Sequence, residues 1–166
     1  MSLKAVGTPC IGVCSTTFGD TVCRGCKRFL HEVVDWNRYA DREKAIVWQR
    51  LDQLLALVVD NYLEVLDPQR LAEQMRYQNL RMQPHYRPAG WVPELLKAAG
   101  HRPLDWSDFG LRPRRQAAGL SPRALYDLIS TEFHALSQAH YDRAFVQQPG
   151  RKNGAPGGTL NKDKSL

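Results

Sequence analysis

After residue 26 the chain has no cysteine: all four, Cys10, Cys14, Cys23 and Cys26, fall in the first 26 of its 166 residues. A disulfide framework spread through the whole protein is therefore excluded. Long apolar runs are also missing. The longest, Leu54 to Val59, is far too short to cross a bilayer, so no membrane partner is expected. The stretch before Cys10 holds one lysine and no apolar core, unlike a secretory leader, and a cytoplasmic location is the expectation. Repeats are lacking, which excludes fibrous and solenoid architectures. The sequence has no H-E-x-x-H, no G-x-S-x-G, no G-x-x-x-x-G-K-[ST] and no G-x-G-x-x-G. The common hydrolase, metalloprotease and nucleotide-binding signatures are thus missing, and a stand-alone enzyme is not expected.

What remains is an ordinary globular composition, with 43% hydrophobic and 24% charged residues. The length suits one domain, or a small module with a helical extension. Net charge is +6. Residues 1–66 balance at 8 basic and 8 acidic side chains, 67–147 hold 11 and 8, and 148–166 hold 4 and 1. The central excess is mostly arginine, at Arg102, Arg112, Arg114, Arg115 and Arg123, interleaved with Trp106 and Phe109. Such a set suits a nucleic-acid or acidic-partner surface, or more commonly a solvated loop with guanidinium groups stacked on aromatics.

The cysteines follow the spacing C-x3-C-x8-C-x2-C. A disulfide cluster conflicts with a reducing compartment. A dithiol redox site at Cys23–Cys26 leaves Cys10 and Cys14 unexplained and lacks the βαβ context of thioredoxin-like sites. A tetrathiolate centre accounts for all four, because four thiolates close a zinc site or hold an iron–sulfur cluster. Zinc and Fe–S stay open on spacing alone. Gly19-Asp20 between β-branched residues predicts a two-residue hairpin turn that brings Cys14 towards the Cys23–Cys26 loop. Gly12 and Gly25 let amides turn towards sulfur. A helix starting after Cys26, with Phe29, Leu30, Val33, Val34 and Trp36 on one apolar face, points its N-terminus at the centre. His31, one turn beyond Cys26, reads as an exposed helix residue.

Thr8-Pro9-Cys10-Ile11-Gly12-Val13-Cys14, Cys23-Arg24-Gly25-Cys26-Lys27-Arg28, Glu32, Trp36 and Asp41-Arg42-Glu43 together resemble a small bacterial family, the domain of unknown function numbered 1289. The resemblance covers residues 8 to about 52. Members are described as predicted Fe–S proteins, so it implies a metal or cluster held by Cys10, Cys14, Cys23 and Cys26, and it implies no activity. Glycine is frequent in that family after the fourth cysteine, where this chain has Lys27. Residues 67–166 have no counterpart in short members.

The rest reads as helix. Asp41 is expected to cap a helix running to about Leu66, with Ile46, Val47, Leu51, Leu54, Leu55, Val58, Tyr62, Leu63 and Leu66 at helical spacing. Asp67-Pro68 opens another to about Met82, with Leu71, Met75 and Leu80 inward. Residues 83–122 carry six of the ten prolines and read as loop around a short helix, Pro93 to Ala99, stopped by Gly100. Ser121-Pro122 opens a last helix to about Phe145. His134 and His140 lie six apart on it and do not share a face.

The expected fold is mainly α: a four-cysteine metal-binding hairpin module with its following helices (1–66), a helical region with a proline-rich connection (67–147), and a disordered basic tail (148–166). The expected function is a small metal- or Fe–S-binding protein with a binding, electron-transfer or sensing role and a protein partner. The alternative is a structural zinc module presenting a basic helical surface to nucleic acid or a protein.

Overall fold

A computed structural model describes residues 6–146. The expected tail at 148–166 lies outside them. The chain is mainly helical: α1 (Leu30–Val34), α2 (Asp41–Asp60), α3 (Pro68–Tyr77), α4 (Val92–Ala99) and α5 (Pro122–Tyr141), with short strands β1 (Leu63–Val65) and β2 (Leu111–Pro113). No helix among the described residues is long and apolar enough to cross a membrane.

The core forms where α2 and α5 pack together and α4 closes over α5. Leu51, Val59, Leu71, Met75, Leu96 and Leu125 are fully buried there. Burying such a side chain contributes about 1.5–3 kcal/mol. The two proline-led helices start as expected. Asp67 accepts from the Arg70 amide at 3.0 Å and Ser121 from the Ala124 amide at 3.2 Å, satisfying donors that the first helical turn leaves open.

Several expectations are corrected. Ala40, not Asp41, is the N-cap of α2, and Glu43 reaches back to the Ala40 amide at 2.8 Å. The same helix stops at Asp60 rather than Leu66, because Leu63–Val65 is recruited into an antiparallel pair with Leu111–Pro113. Gly110 (φ 64°) closes that pair, its carbonyl accepting from Leu66 N and Asp67 N. A Cβ there would sit 2.6 Å from Asp67 O. Ile46 and Leu66, expected inside, are exposed. The α3 helix ends at Tyr77 instead of Met82, because Asn79 turns at φ 54°.

The cysteine segment departs most. No hairpin forms at Gly19-Asp20. Residues Ser15–Phe18 make a single 3-10 turn, stopped by Gly19 at φ 98°. The reversal comes later, between Val22 and Phe29, which form the one antiparallel bridge there. The helix after Cys26 is only the five residues of α1. Its Val34 is exposed, so the wide apolar face is lost. A helix this short contributes little dipole at the centre.

Glu32 compensates. Its carboxylate accepts from the Phe29 amide at 2.9 Å and is gripped by both terminal nitrogens of Arg50 on α2. The Arg50 guanidinium lies 3.7 Å from the Phe29 ring centroid. Glu32→Ala strands a largely buried cation and a buried amide, so it is expected to cost about 3 kcal/mol of unfolding free energy. Urea denaturation of Glu32→Ala and Glu32→Gln checks this. A loss below 1 kcal/mol in both would refute the pairing.

Candidate metal centre

The Cys23–Cys26 loop is built by its backbone. Cys23 N donates to Arg28 O at 2.9 Å, Leu30 N to Thr21 O at 2.8 Å, and Lys27 N back to Cys23 O at 2.8 Å. Closing so tight a loop forces Lys27 to φ 61°. That conformation costs an L-residue about 1–2 kcal/mol and suits glycine. Here the lysine side chain compensates: Nζ donates to Gly25 O and Ser130 Oγ, each at 3.1 Å, and lies 5.4 Å from the Phe133 ring centroid. Cys23 and Cys26 are both buried.

The first cysteine loop lies directly against this one. Gly25 has no room for a side chain, since a Cβ would meet Val13 O at 2.5 Å and Ile11 Cγ1 at 3.1 Å. Arg24 N donates to Ser15 Oγ at 2.8 Å, and Cys23 Sγ lies 3.6 Å from Val13 O. Both neighbours of Cys14 therefore touch the second loop. Gly12, at φ 88°, turns its amide onto Cys10 Sγ at 3.4 Å, as its position in a ligand loop led one to expect. Cys14 Sγ is 3.0 Å from Thr16 Oγ1. Cys10 is exposed and Cys14 half-buried.

The structure thus pairs Cys23 with Cys26 and lays the Cys10–Cys14 loop beside them. Among the described residues no three His, Cys, Asp or Glu side chains converge as a ligand set. All four cysteines carry free thiols.

The two buried thiols titrate differently. Burial pushes Cys23 up, but the amides of Cys26, Ser15 and Gly25 and the Cys26 side chain outweigh it and bring the thiol down to about 7. Burial pushes Cys26 up against the opposing pull of Arg28, whose Nε donates to Cys26 Sγ at 3.3 Å. Arg28 is held by Trp36, 4.8 Å beneath it. Amides and a cation directed at sulfur are what a thiolate centre requires. The donor chemistry fits a thiophilic metal.

Other contacts anchor the loop from α5. His134 Nε2 is 3.2 Å from Val22 O, and Gln138 Nε2 donates to Thr21 Oγ1 at 3.1 Å. These residues lie more than a hundred positions from their partners, and only the composition of one helix face hinted at them. His31 is exposed and packs its ring on Phe29 and Phe145. The arginine set is mostly spoken for: Arg112 pairs with Glu64, Arg114 with Asp60 and Arg123 with Asp127, while Arg102 donates to the Ala98 and Ala99 carbonyls.

Residues 8–55 match the family model described as "Protein of unknown function (DUF1289)". This is the family, and nearly the segment, that the cysteine spacing resembles. The DUF1289 segment takes in both cysteine loops, α1 and α2 as far as Leu55. Ser130, His134 and Gln138, which brace it from α5, lie outside the match. No curated protein and no solved structure matches the chain.

Two outcomes follow for the metal-free, reduced protein. Gly25→Ala is expected to push the Cys10–Cys14 loop away and cost about 1–3 kcal/mol, with faster labelling of Cys23 and Cys26 by a thiol reagent. Unchanged labelling would refute the close packing. Cys23, held below the ordinary thiol value of 9.0, contributes stability that is full above that value and is lost as pH falls through about 7. Ultraviolet thiolate absorbance should show a transition near 7 that Cys23→Ser removes. A first transition near 9 would refute it.

Proposed function

We propose that the N-terminal segment binds a zinc ion or an iron–sulfur cluster through Cys10, Cys14, Cys23 and Cys26, and that the protein acts by binding, electron transfer or sensing rather than by substrate turnover. One observation carries the reading: two cysteine loops lie in contact through Gly25, with backbone and guanidinium N–H groups directed at their sulfurs. The segment has little apolar surface of its own to fix that arrangement, since its buried residues Val22, Cys23, Cys26 and Phe29 are not part of the main core cluster. A bound centre would cross-link the loops and supply folding free energy that so small a segment lacks, and a cluster would add a one-electron couple. This chain's own residues hold the loops (Glu32, His134, Gln138), turn them (Gly12, Lys27) and neutralise thiolate charge (Arg28). A partner protein remains part of the proposal. The alternative of a basic surface for nucleic acid finds less support, because Arg112, Arg114 and Arg123 already face carboxylates.

The test is the full chain, expressed without a metal-affinity tag and purified without oxygen. Visible absorption and elemental analysis for iron, zinc and sulfide should find one centre, about one zinc per chain or iron and sulfide in comparable amounts. Cys23→Ser and Cys26→Ser should each abolish it. A metal-free protein that takes up neither added zinc nor a reconstituted cluster would overturn the reading. Iron and sulfide would favour electron transfer or sensing, and zinc a structural role.

A further inference from the structure

Between the cysteine loops and the helices lies a cavity of about 280 Å³, just below the usual range for drug-sized ligand sites, about 300–1,000 Å³, and so suited to a smaller molecule. Its polar lining is Lys27, Arg81, Lys97, Glu94, Tyr126 and Ser130, with Cys10 at the edge nearest the cysteine loops. Three cations face one carboxylate there, and among the described residues none of these four charged groups takes part in an ion pair. The cavity therefore carries an excess of two positive charges.

Lys27 makes the cavity more than a surface patch. The residue is 6% exposed, and a buried ammonium is costly unless its donors are used; the Cys23 and Cys26 sulfurs act on it electrostatically but make no hydrogen bond with it. Its two partners, Gly25 O and Ser130 Oγ, are neutral. An ammonium has three N–H donors, so one is left unused. Ser130 accepts from Lys27, which leaves its own proton free to donate. The thiolate side of the loop is served by the neighbouring residue: Arg28, not Lys27, donates to Cys26 Sγ. The two adjacent cations thus divide, one towards sulfur and one towards the cavity. Leu55, Ile129 and Phe133 supply an apolar wall.

We infer that this cavity binds a small organic phosphate monoester, its phosphate held by Lys27, Arg81 and Lys97 and its carbon body against Phe133 and Ile129. A phosphate monoester carries about −1.5 to −2 at neutral pH, which matches the excess of two cations. The apolar wall favours an ester over the bare ion. The inference does not rest on a bound metal: the phosphate is held by side chains, and none of the three cations is a proposed metal ligand.

The experiment is calorimetric titration of the full chain, as purified and with its metal content measured on the same sample, at about 0.15 M salt, where exposed charges are screened. The probes are phenyl phosphate, inorganic phosphate and phenol. Phenyl phosphate should bind saturably at one site per chain, and more tightly than either fragment. Arg81→Ala and Lys97→Ala, both at exposed positions, should keep the unfolding temperature and each weaken it about tenfold. No saturable binding, or binding unaffected by both substitutions, would overturn the inference. Inorganic phosphate binding as tightly as phenyl phosphate would overturn its assignment to an organic ester. A metal-free sample that takes up neither added zinc nor a reconstituted cluster, yet still binds phenyl phosphate, would sink the proposed metal function and leave this one standing.

Discussion

The Glu32 carboxylate is the constraint on which the N-terminal segment depends. One oxygen caps the Phe29 amide where the chain leaves the cysteine loop, and both oxygens are held by Arg50 from the middle of α2. The Arg50 guanidinium in turn lies flat against the Phe29 ring. The carboxylate, the ring and the guanidinium therefore fix one end of the loop at a single place on the longest N-terminal helix. A charge pair is an expensive way to do this, because both partners leave water. The segment has no cheaper one. With four buried apolar residues outside the main cluster, it cannot be positioned by area alone, and directional bonds take over.

The same logic operates on the opposite side. Three groups of α5 reach the loop at successive turns, Ser130 to Lys27, His134 to Val22 and Gln138 to Thr21. Spaced by four residues each, they form one stripe of the helix. That stripe is polar, whereas the neighbouring one, Leu125, Ile129 and Phe133, is buried apolar core. One helix thus serves two layers at once, packing on α2 with one face and holding the cysteine loops with the next.

Much of this was legible in the sequence and some was not. Proline and capping residues placed the starts of α3 and α5 because those signals act locally, on a single turn. The end of α2 was not legible, because Leu63 and Val65 suit helix and strand alike. What decided between them was Leu111–Pro113, some fifty residues away. The hairpin at Gly19 failed for a related reason. Glycine there does adopt a left-handed conformation, but as the stop of a 3-10 turn, since no strand lies opposite to pair with. The cysteine loops were legible as a pair of neighbours, and the role of Gly25 was not: its value lies in the missing Cβ against Val13 O, which no spacing rule reports. Lys27 gave the most informative signal. The resemblance leads one to expect glycine there, and the structure shows both the left-handed backbone that suits glycine and the side-chain contacts that offset a lysine's strain.

The strained backbone at Lys27 also ties the loop to the helical region. A lysine in the left-handed conformation needs a compensating site, and Ser130 with Phe133 on α5 provides it. The helical region is then not an independent body placed beside the cysteine loops. Its last helix completes the loop's hydrogen bonding, and the loop closes one wall of the cavity that the helices form. A change in the cysteine loops has two routes outward: through Glu32 and Arg50 to α2, and through Lys27, His134 and Gln138 to α5. The α5 helix, through its polar stripe, is the element that links the loops to α4, on which it packs.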